Sequence, residues 1–220
     1  MTGGLIERLR RLDACAVSDA LDRAGLPPAV IHLRPLTVAR MVTGKAITVE
    51  LGAARDRPPA ARHLGTSAVE AAGPGDVVVV ANDGRTDCAA WGGLLSTAAS
   101  LRGVEGIVID GACRDIPEAV DVDLAIYGRA PAAVTARGRV VEVSWNQSVR
   151  LDGTSVDPGD LVIADGSGVA FIPSSHAPAI LDVAEEIAER ERAMAARLRD
   201  GVPVSQVLAG SYERMLDRQV

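Results

Sequence analysis

Residues Trp91 to Glu118 read WGGLLSTAASLRGVEGIVIDGACRDIPE, and this stretch sets the fold class. Gly92 and Gly93 mark a helix start, and a short helix runs to Arg102. Ile107, Val108 and Ile109 predict a buried strand, followed by a turn that ends in Arg114 and Asp115. A helix leading back into a buried strand belongs to a mixed α/β domain. The same residues carry the parts of a small-anion site. A helix start offers unpaired N–H groups and a positive dipole end, and glycine lets a ligand approach that backbone closely. Arginine can fork onto a carboxylate, and the neighbouring aspartate can hold a hard cation.

Outward from this stretch the pattern stays mixed. GPGDVVVVAND (residues 73–83) is a Pro-Gly turn that delivers Asp76 into a strand over Val77–Ala81, and DPGDLVIADGSGVAFIP (residues 157–173) repeats the phrase. The flanks do not match, so these are two turn-plus-strand units of similar geometry and not a tandem repeat. Strands are also predicted near Ala46–Leu51, Leu124–Tyr127 and Arg139–Trp145, and a helix near Ala60–Ala72. Leu5, Ile6, Leu9 and Leu12 recur at helical spacing, and a second short helix over Ser18–Ala24 has Ser18 as its N-cap and Gly25 as its stop. A charged amphipathic helix covers His176–Arg199, and another covers Ser205–Leu216. No linker or low-complexity tract interrupts the chain. The expectation is one α/β domain over residues 1–220, with helical segments at 1–25 and 176–220.

Composition narrows the function. The 220 residues are 48% hydrophobic and carry a net charge of −6. The arginines are scattered and only 2% of residues are aromatic, which argues against a nucleic-acid surface. No apolar run suits a membrane span, and the opening MTGGLIERLRRLD lacks the apolar centre of a signal peptide. Three widely spaced cysteines, Cys15, Cys88 and Cys113, fit a reduced, cytoplasmic location. The one lysine, Lys45, reads as a strand-edge residue, which leaves little scope for Schiff-base chemistry. His32, His63 and His176 form no zinc-binding spacing, so a metal would be held by carboxylates and water, as magnesium or manganese are.

Plain structural roles compete with several of these assignments. Asp110–Gly111 and Asp83–Gly84 read as turn dipeptides, with Asp83 and Asp87 able to fold back over the pocket as the alternative. Asp115 could simply cap a helix beginning at Ile116, and Arg114 could pair with Glu118 four positions on. Trp91 and Trp145 read as core or subunit-contact residues. Cys113 has no histidine near it in sequence, which argues against a thiol nucleophile.

Twenty residues separate Gly93 from Arg114, and Arg114-Asp115 is followed by Glu118 after two intervening positions. With PGDLVIADGSGVAFIP, this spacing resembles the RraA-like family, the regulators of ribonuclease activity A and the metal-dependent 4-hydroxy-4-methyl-2-oxoglutarate aldolases. The likeness spans roughly Ser18 to Arg199. It implies a single β/β/α layered domain of the swivelling type, assembled as a homotrimer or homohexamer with sites at subunit boundaries. It also implies that backbone at Gly92, Gly93, Leu94 and Leu95 binds a substrate carboxylate, that Arg114 grips the pyruvyl oxygens, and that Asp115 ligates Mg2+ or Mn2+. Aldolase members carry an acidic residue at the position of Gly93, and a further acid arrives from a neighbouring C-terminal helix; Glu191, then Glu189, are the candidates. The function so implied is a divalent-metal-dependent lyase on a small 2-oxo acid, by retro-aldol cleavage or oxaloacetate decarboxylation through a pyruvate enolate. The alternatives are a non-catalytic regulator that binds a ribonuclease or helicase, and a family member repurposed for specialised metabolism.

Overall fold

The computed structural model describes residues 2–56 and 62–208. The chain opens with α1 (Thr2–Leu9), α2 (Ala14–Arg23), β1 (Arg34–Pro35) and the long β2 (Val42–Ala53). A 3-10 turn at Ala54–Asp56 precedes α3 (Thr66–Ala71), β3 (Asp76–Trp91), α4 (Gly93–Leu101), β4 (Gly106–Cys113) and α5 (Ile116–Asp121). Next come β5 (Ile126–Gly128), β6 (Ala130–Pro131), β7 (Val140–Trp145) and a hairpin of β8 (Val149–Leu151) and β9 (Thr154–Val156). Strands β10 (Leu161–Ala164) and β11 (Val169–Ile172) lead into α6 (Ala177–Arg199) and α7 (Val204–Val207).

The main sheet runs β1-β5-β4-β3-β2-β10-β11, with β6 beside β4 and β7 beside β2. Its centre, β2-β3-β4-β5, is parallel, and β10 and β11 extend it antiparallel. Side-chain alternation divides the layers. Val78, Val80, Ile107 and Ile109 share a core with residues of α3, α4 and α5. Val77, Val79 and Val108 face the other way, onto Val149, Leu151 and Val156 of the hairpin. Helix layer, sheet and hairpin give the β/β/α arrangement. The run of four valines needs no polar alternation because both of its faces are covered. A third cluster packs α1, α2 and α6 against Leu161, Ile163, Ala170 and Ile172 on β10 and β11, which places the helical ends on one arm of the sheet.

The repeated Pro-Gly-Asp phrase is one device used twice. Gly75 (φ 80°) and Gly159 (φ 90°) take the left-handed conformation the turn requires. Asp76 accepts a hydrogen bond from the N–H of Gly73 at 2.9 Å, and Asp160 accepts one from Asp157 at 2.8 Å, in each case three residues back. The two turns lie side by side across β2, because Lys45 pairs with both Asp76 and Leu161. Lys45 is exposed within β2, a structural position.

Several local expectations are corrected. Asp13 caps α2, accepting from the N–H of Ala16, so the helix starts at Ala14, four residues before the predicted start at Ser18; Ser18 lies inside it and its hydroxyl accepts from Ala29 N–H. Gly25 does stop the helix, with φ 72°. The helix predicted over Ala60–Ala72 begins only at Thr66, after left-handed Gly65, while residues 57–61 lie outside the described part. Asp110–Gly111 is no turn. Both residues are buried in β4, where Asp110 pairs with Arg129 at 2.5 Å. Trp91 is core, but Trp145 is exposed on β7. The last predicted helix is seen as α7, and its continuation past residue 208 lies outside the described residues.

Asp160 is buried and also accepts from Ser174 N–H at 2.8 Å, whereas Asp76 is half-buried. Asp160→Ala should therefore cost about 3 kcal/mol, since it strands two donors, and Asp76→Ala about 1 kcal/mol. Equal shifts of the two urea midpoints would show that burial does not separate the turns.

Candidate functional site

Parallel pairing of β3 and β4 builds the site. Trp91 stands opposite Cys113, and Arg114 N–H donates to Trp91 O at 3.0 Å. The segments that leave these two strand ends, Gly92–Gly93 and Arg114–Asp115, therefore emerge side by side. This is the carboxyl edge of a parallel sheet, the common location for ligands in α/β folds. Trp91 anchors the first turn of α4 from below: its indole N–H donates to Ser96 Oγ at 3.1 Å, and that hydroxyl donates to Gly92 O.

Asp115 adopts the left-handed conformation (φ 57°, ψ 42°) at the N-cap position of α5 but makes no capping bond there. Its carboxylate turns instead to α4, where Oδ2 accepts from Gly93 N–H at 3.0 Å. Arg114 Nε donates to both Asp115 oxygens at 3.1 Å, so the alternative Arg114–Glu118 pair does not form and the arginine holds its neighbour instead. The Gly93 N–H is the main cause holding the Asp115 carboxyl below its ordinary value; partial burial opposes it and Arg114 adds to it. Two sets of donors are left over. Leu94 and Leu95 N–H groups have no protein partner among the described residues, and neither do the terminal nitrogens of Arg114.

Glu118 explains Gly93. A Cβ on residue 93 would lie 1.7 Å from Glu118 Oε2 and 3.2 Å from Asp115 Cβ. A Cβ on Gly92 would meet Asp115 Oδ2 at 2.9 Å. The glycine pair thus makes room for the two carboxylates of α5's first turn to lie against the start of α4. The space in which the resemblance expects an acidic side chain from position 93 already holds an acidic group, delivered by Glu118. Two carboxylates suit magnesium, which is commonly bound by one or two carboxylates with water and substrate oxygens completing the shell. No cluster of three or more His, Cys, Asp or Glu residues suited to a metal occurs among the described residues. Asp115 and Glu118 are thus the two carboxylates here that could hold such an ion.

A cavity of about 630 Å³ opens here, lined by Gly92, Gly93, Leu94, Leu95, Arg114 and Asp115 among others. Six of the seven residues picked out in the sequence converge on it. Glu191 does not: it sits on α6, partly buried near Asp13 and Asp19, and burial raises its carboxyl above the ordinary value. Glu189 is exposed on the same helix. Asp83 and Asp87 do not line the cavity; Asp83 and Gly84 take positive φ within β3, and Asp87 pairs with Arg85 at 2.8 Å. Cys113 is buried, with its thiol pushed up to about 12 by burial, which removes it as a nucleophile. His63 and Arg137 also line the cavity, and neither belonged to any pattern that sequence spacing could reveal.

Comparison with known proteins follows the same outline. A family model described as RraA-like, Aldolase/RraA, matches residues 14–171. The chain is 30% identical over 199 residues to a Halalkalibacterium halodurans protein named "Putative 4-hydroxy-4-methyl-2-oxoglutarate aldolase", covering 90% of each. It is 24% identical over 202 residues to Protein DlpA of Legionella pneumophila, spanning 92% of this chain but only 33% of that longer protein. The crystal structure of Streptomyces coelicolor RraAS2, described as an unusual member of the RNase ES inhibitor RraA protein family, superposes with a TM-score of 0.75 at 27% identity. That match covers 86% of this chain and 94% of RraAS2.

Two outcomes test this geometry. Gly93→Ala should fold, because the obstructing atom is the mobile end of Glu118, but should displace that carboxylate; its effect on magnesium affinity should then be non-additive with Glu118→Ala. Simple addition in the double variant would mean the two positions do not share space. Asp115, with its folded-state pKa depressed, contributes stability that is complete above its ordinary pKa of 3.8 and is lost as pH falls through the lower folded value. The Tm gap between the wild type and Asp115→Asn should accordingly stay constant at neutral pH and narrow below pH 3.8. A gap that widens in acid would contradict the assigned partners.

Proposed function

The chain belongs to the RraA-like, Aldolase/RraA family, and we propose that it is a lyase that releases pyruvate from a small 2-oxo acid. Its substrate would be a 4-hydroxy-2-oxo dicarboxylate, oxaloacetate, or both. One observation carries this reading: unpaired N–H donors, a half-engaged arginine and two carboxylates meet at one strand edge. The resemblance to a protein named as an aldolase supports it.

The Leu94 and Leu95 N–H groups would take the substrate's first carboxylate at the positive end of α4. Arg114, steadied through Nε, would present its terminal nitrogens to that carboxylate and the adjacent keto oxygen. When the C3–C4 bond breaks, its electron pair passes to C3 and negative charge develops on the keto oxygen, where Arg114 stabilises it. In the retro-aldol reaction the 4-hydroxyl loses its proton as its carbon becomes a carbonyl. Glu118, which makes no ion pair or side-chain hydrogen bond among the described residues and whose carboxylate lies against Gly93 at the cavity's edge, would accept that proton. In decarboxylation the leaving group is CO2 and no hydroxyl proton is removed; in both reactions C3 of the enolate then gains a proton to give pyruvate. Asp115, with Glu118 beside it, would hold Mg2+ or Mn2+, which when bound polarises the keto oxygen as a Lewis acid. Lys45 does not line the cavity, so imine chemistry gains no support. A trimer or hexamer in which α6 carries Glu191 to a neighbouring copy would complete the assembly.

A second reading has its own observation. Leu94 and Leu101 are 87% and 84% exposed on one face of α4, seven residues apart. An apolar stripe of that kind suits a protein partner, as in a regulator that covers a ribonuclease or helicase. Within the family both readings share this fold, and a member repurposed for specialised metabolism would use the same pocket on another acid.

Pyruvate release from oxaloacetate and from 4-hydroxy-4-methyl-2-oxoglutarate, with and without magnesium, separates these readings. Release should stop in excess chelator and return with Mg2+ or Mn2+, and Asp115→Ala should stay inactive at any metal concentration. Arg114→Lys should lower kcat/KM by roughly 10²-fold, because an ammonium cannot reproduce the bidentate contact. Magnesium binding measured by calorimetry without pyruvate release from either compound would sink the lyase and favour the regulator.

A further inference from the structure

An enolate becomes pyruvate only when C3 takes a proton, and decarboxylation frees no hydroxyl proton to supply it. The ionisable residues lining the cavity at Arg114, among those described, are His63, Glu70, Arg114, Asp115 and Arg137. A guanidinium does not give up its proton. Glu70 is paired with Arg62 at 2.8 Å. Gly93 N–H holds the Asp115 carboxyl below its ordinary value, so Asp115 stays ionised and has no proton to give. Glu118 is already committed to the metal and to the 4-hydroxyl proton. His63 is left, and imidazole is the side chain suited to exchanging a proton near neutral pH.

The loop that carries His63 is seated on the anion site itself. Gly65 takes a left-handed φ of 76°, and a Cβ there would meet the Trp91 ring at 3.2 Å and Leu95 Cδ1 at 3.4 Å. The loop thus rests on the residues that lead into and open α4. Glu142 Oε2 accepts from Gly65 N–H at 2.7 Å, and Thr66 N–H donates to His63 O at 3.3 Å, which fixes the backbone on both sides of Leu64. The imidazole is free. His32 lies 3.8 Å from Asp152 and His176 lies 3.0 Å from Ser175, whereas the His63 ring has no partner among the described residues. Arg55, Arg62 and Glu142 border the adjoining cavity of about 480 Å³ that His63 also lines, and Arg137 lines both.

We propose that His63 is the acid that protonates C3 of the enolate. The imidazolium N–H bond breaks and leaves its electron pair on nitrogen. The enolate's C2=C3 pair forms the new C3–H bond, and the keto C=O is restored at C2. Neutral His63 then recovers a proton from solvent through its exposed face. The inference rests on the lyase reading for the position of the substrate, and it adds the donor that both reactions need.

The reverse of this step isolates it from carbon–carbon cleavage: with magnesium in D2O, the full chain should exchange the methyl protons of pyruvate for deuterium, followed by NMR. His63→Gln should slow that exchange by about 10²-fold or more, the usual scale of general acid–base catalysis, while calorimetry finds pyruvate affinity within about two-fold. His63→Ala leaves an open space on the cavity wall, so added imidazole should restore part of its exchange above the protein-free rate. Gln fills the space, and His63→Gln should resist that rescue. Unchanged exchange in either variant overturns the assignment. So does exchange lost together with pyruvate affinity, rescue of neither variant, or equal rescue of both. Pyruvate release from oxaloacetate and 4-hydroxy-4-methyl-2-oxoglutarate is measured in parallel. His63-dependent exchange without release from either compound keeps His63 and removes the lyase, whereas release with exchange indifferent to His63 does the reverse. A wild type that shows neither overturns both.

Discussion

Everything at the candidate site depends on the register of one parallel pair. With Trp91 opposite Cys113, the last residues of β3 and β4 end level with each other. The first residues of α4 and α5 then start level too. The twenty residues between Gly93 and Arg114 are the length of one helix plus the strand that returns beneath it. A slip of one residue would send Arg114 and Asp115 to the opposite face of the sheet. Conversely, the contacts between the two loops help fix the register. Asp115 receives the Gly93 N–H and Arg114 N–H reaches Trp91 O, so each bond ties one strand end to the other.

The site and the helical arm are built on different clusters. α1, α2 and α6 bury their apolar faces against β10 and β11, while the cavity is formed where α3 and α4 meet the other end of the sheet. Arg8 joins α1 to Asp182 and Glu185 of α6 at 2.6–2.7 Å, yet these groups are partly exposed. Such pairs contribute little, and buried apolar area holds the arm in place. Loops around the cavity can therefore change without disturbing the packing of the terminal helices.

Much of this was legible in the sequence because it is local. The glycine pair, the Arg-Asp dipeptide and both Pro-Gly-Asp turns each depend on a few neighbouring residues, and the structure has them where spacing placed them. Errors arose where a distant partner decides the outcome. Asp110–Gly111 has the composition of a turn, but Arg129 neutralises the aspartate inside β4. Ser18 has the chemistry of a cap, but Asp13 stands at the bend where one is needed. Glu118 was visible in the spacing, while its position over Gly93 was not, since only the approach of α5 to α4 creates that contact. His63 carried no signal at all. Its meaning comes from a cavity shared by segments separated widely in the chain.

Asp115 has a consequence for how this chain can change over time. A residue with φ 57° tolerates glycine, asparagine or aspartate far more readily than any longer side chain. The usual conservative exchange to glutamate is therefore obstructed by the backbone before chemistry is considered. Glycine and asparagine remain open, but both remove the charge. At this position the backbone therefore leaves this chain a stark choice between keeping the carboxylate and losing its charge, with little room for a longer acid between.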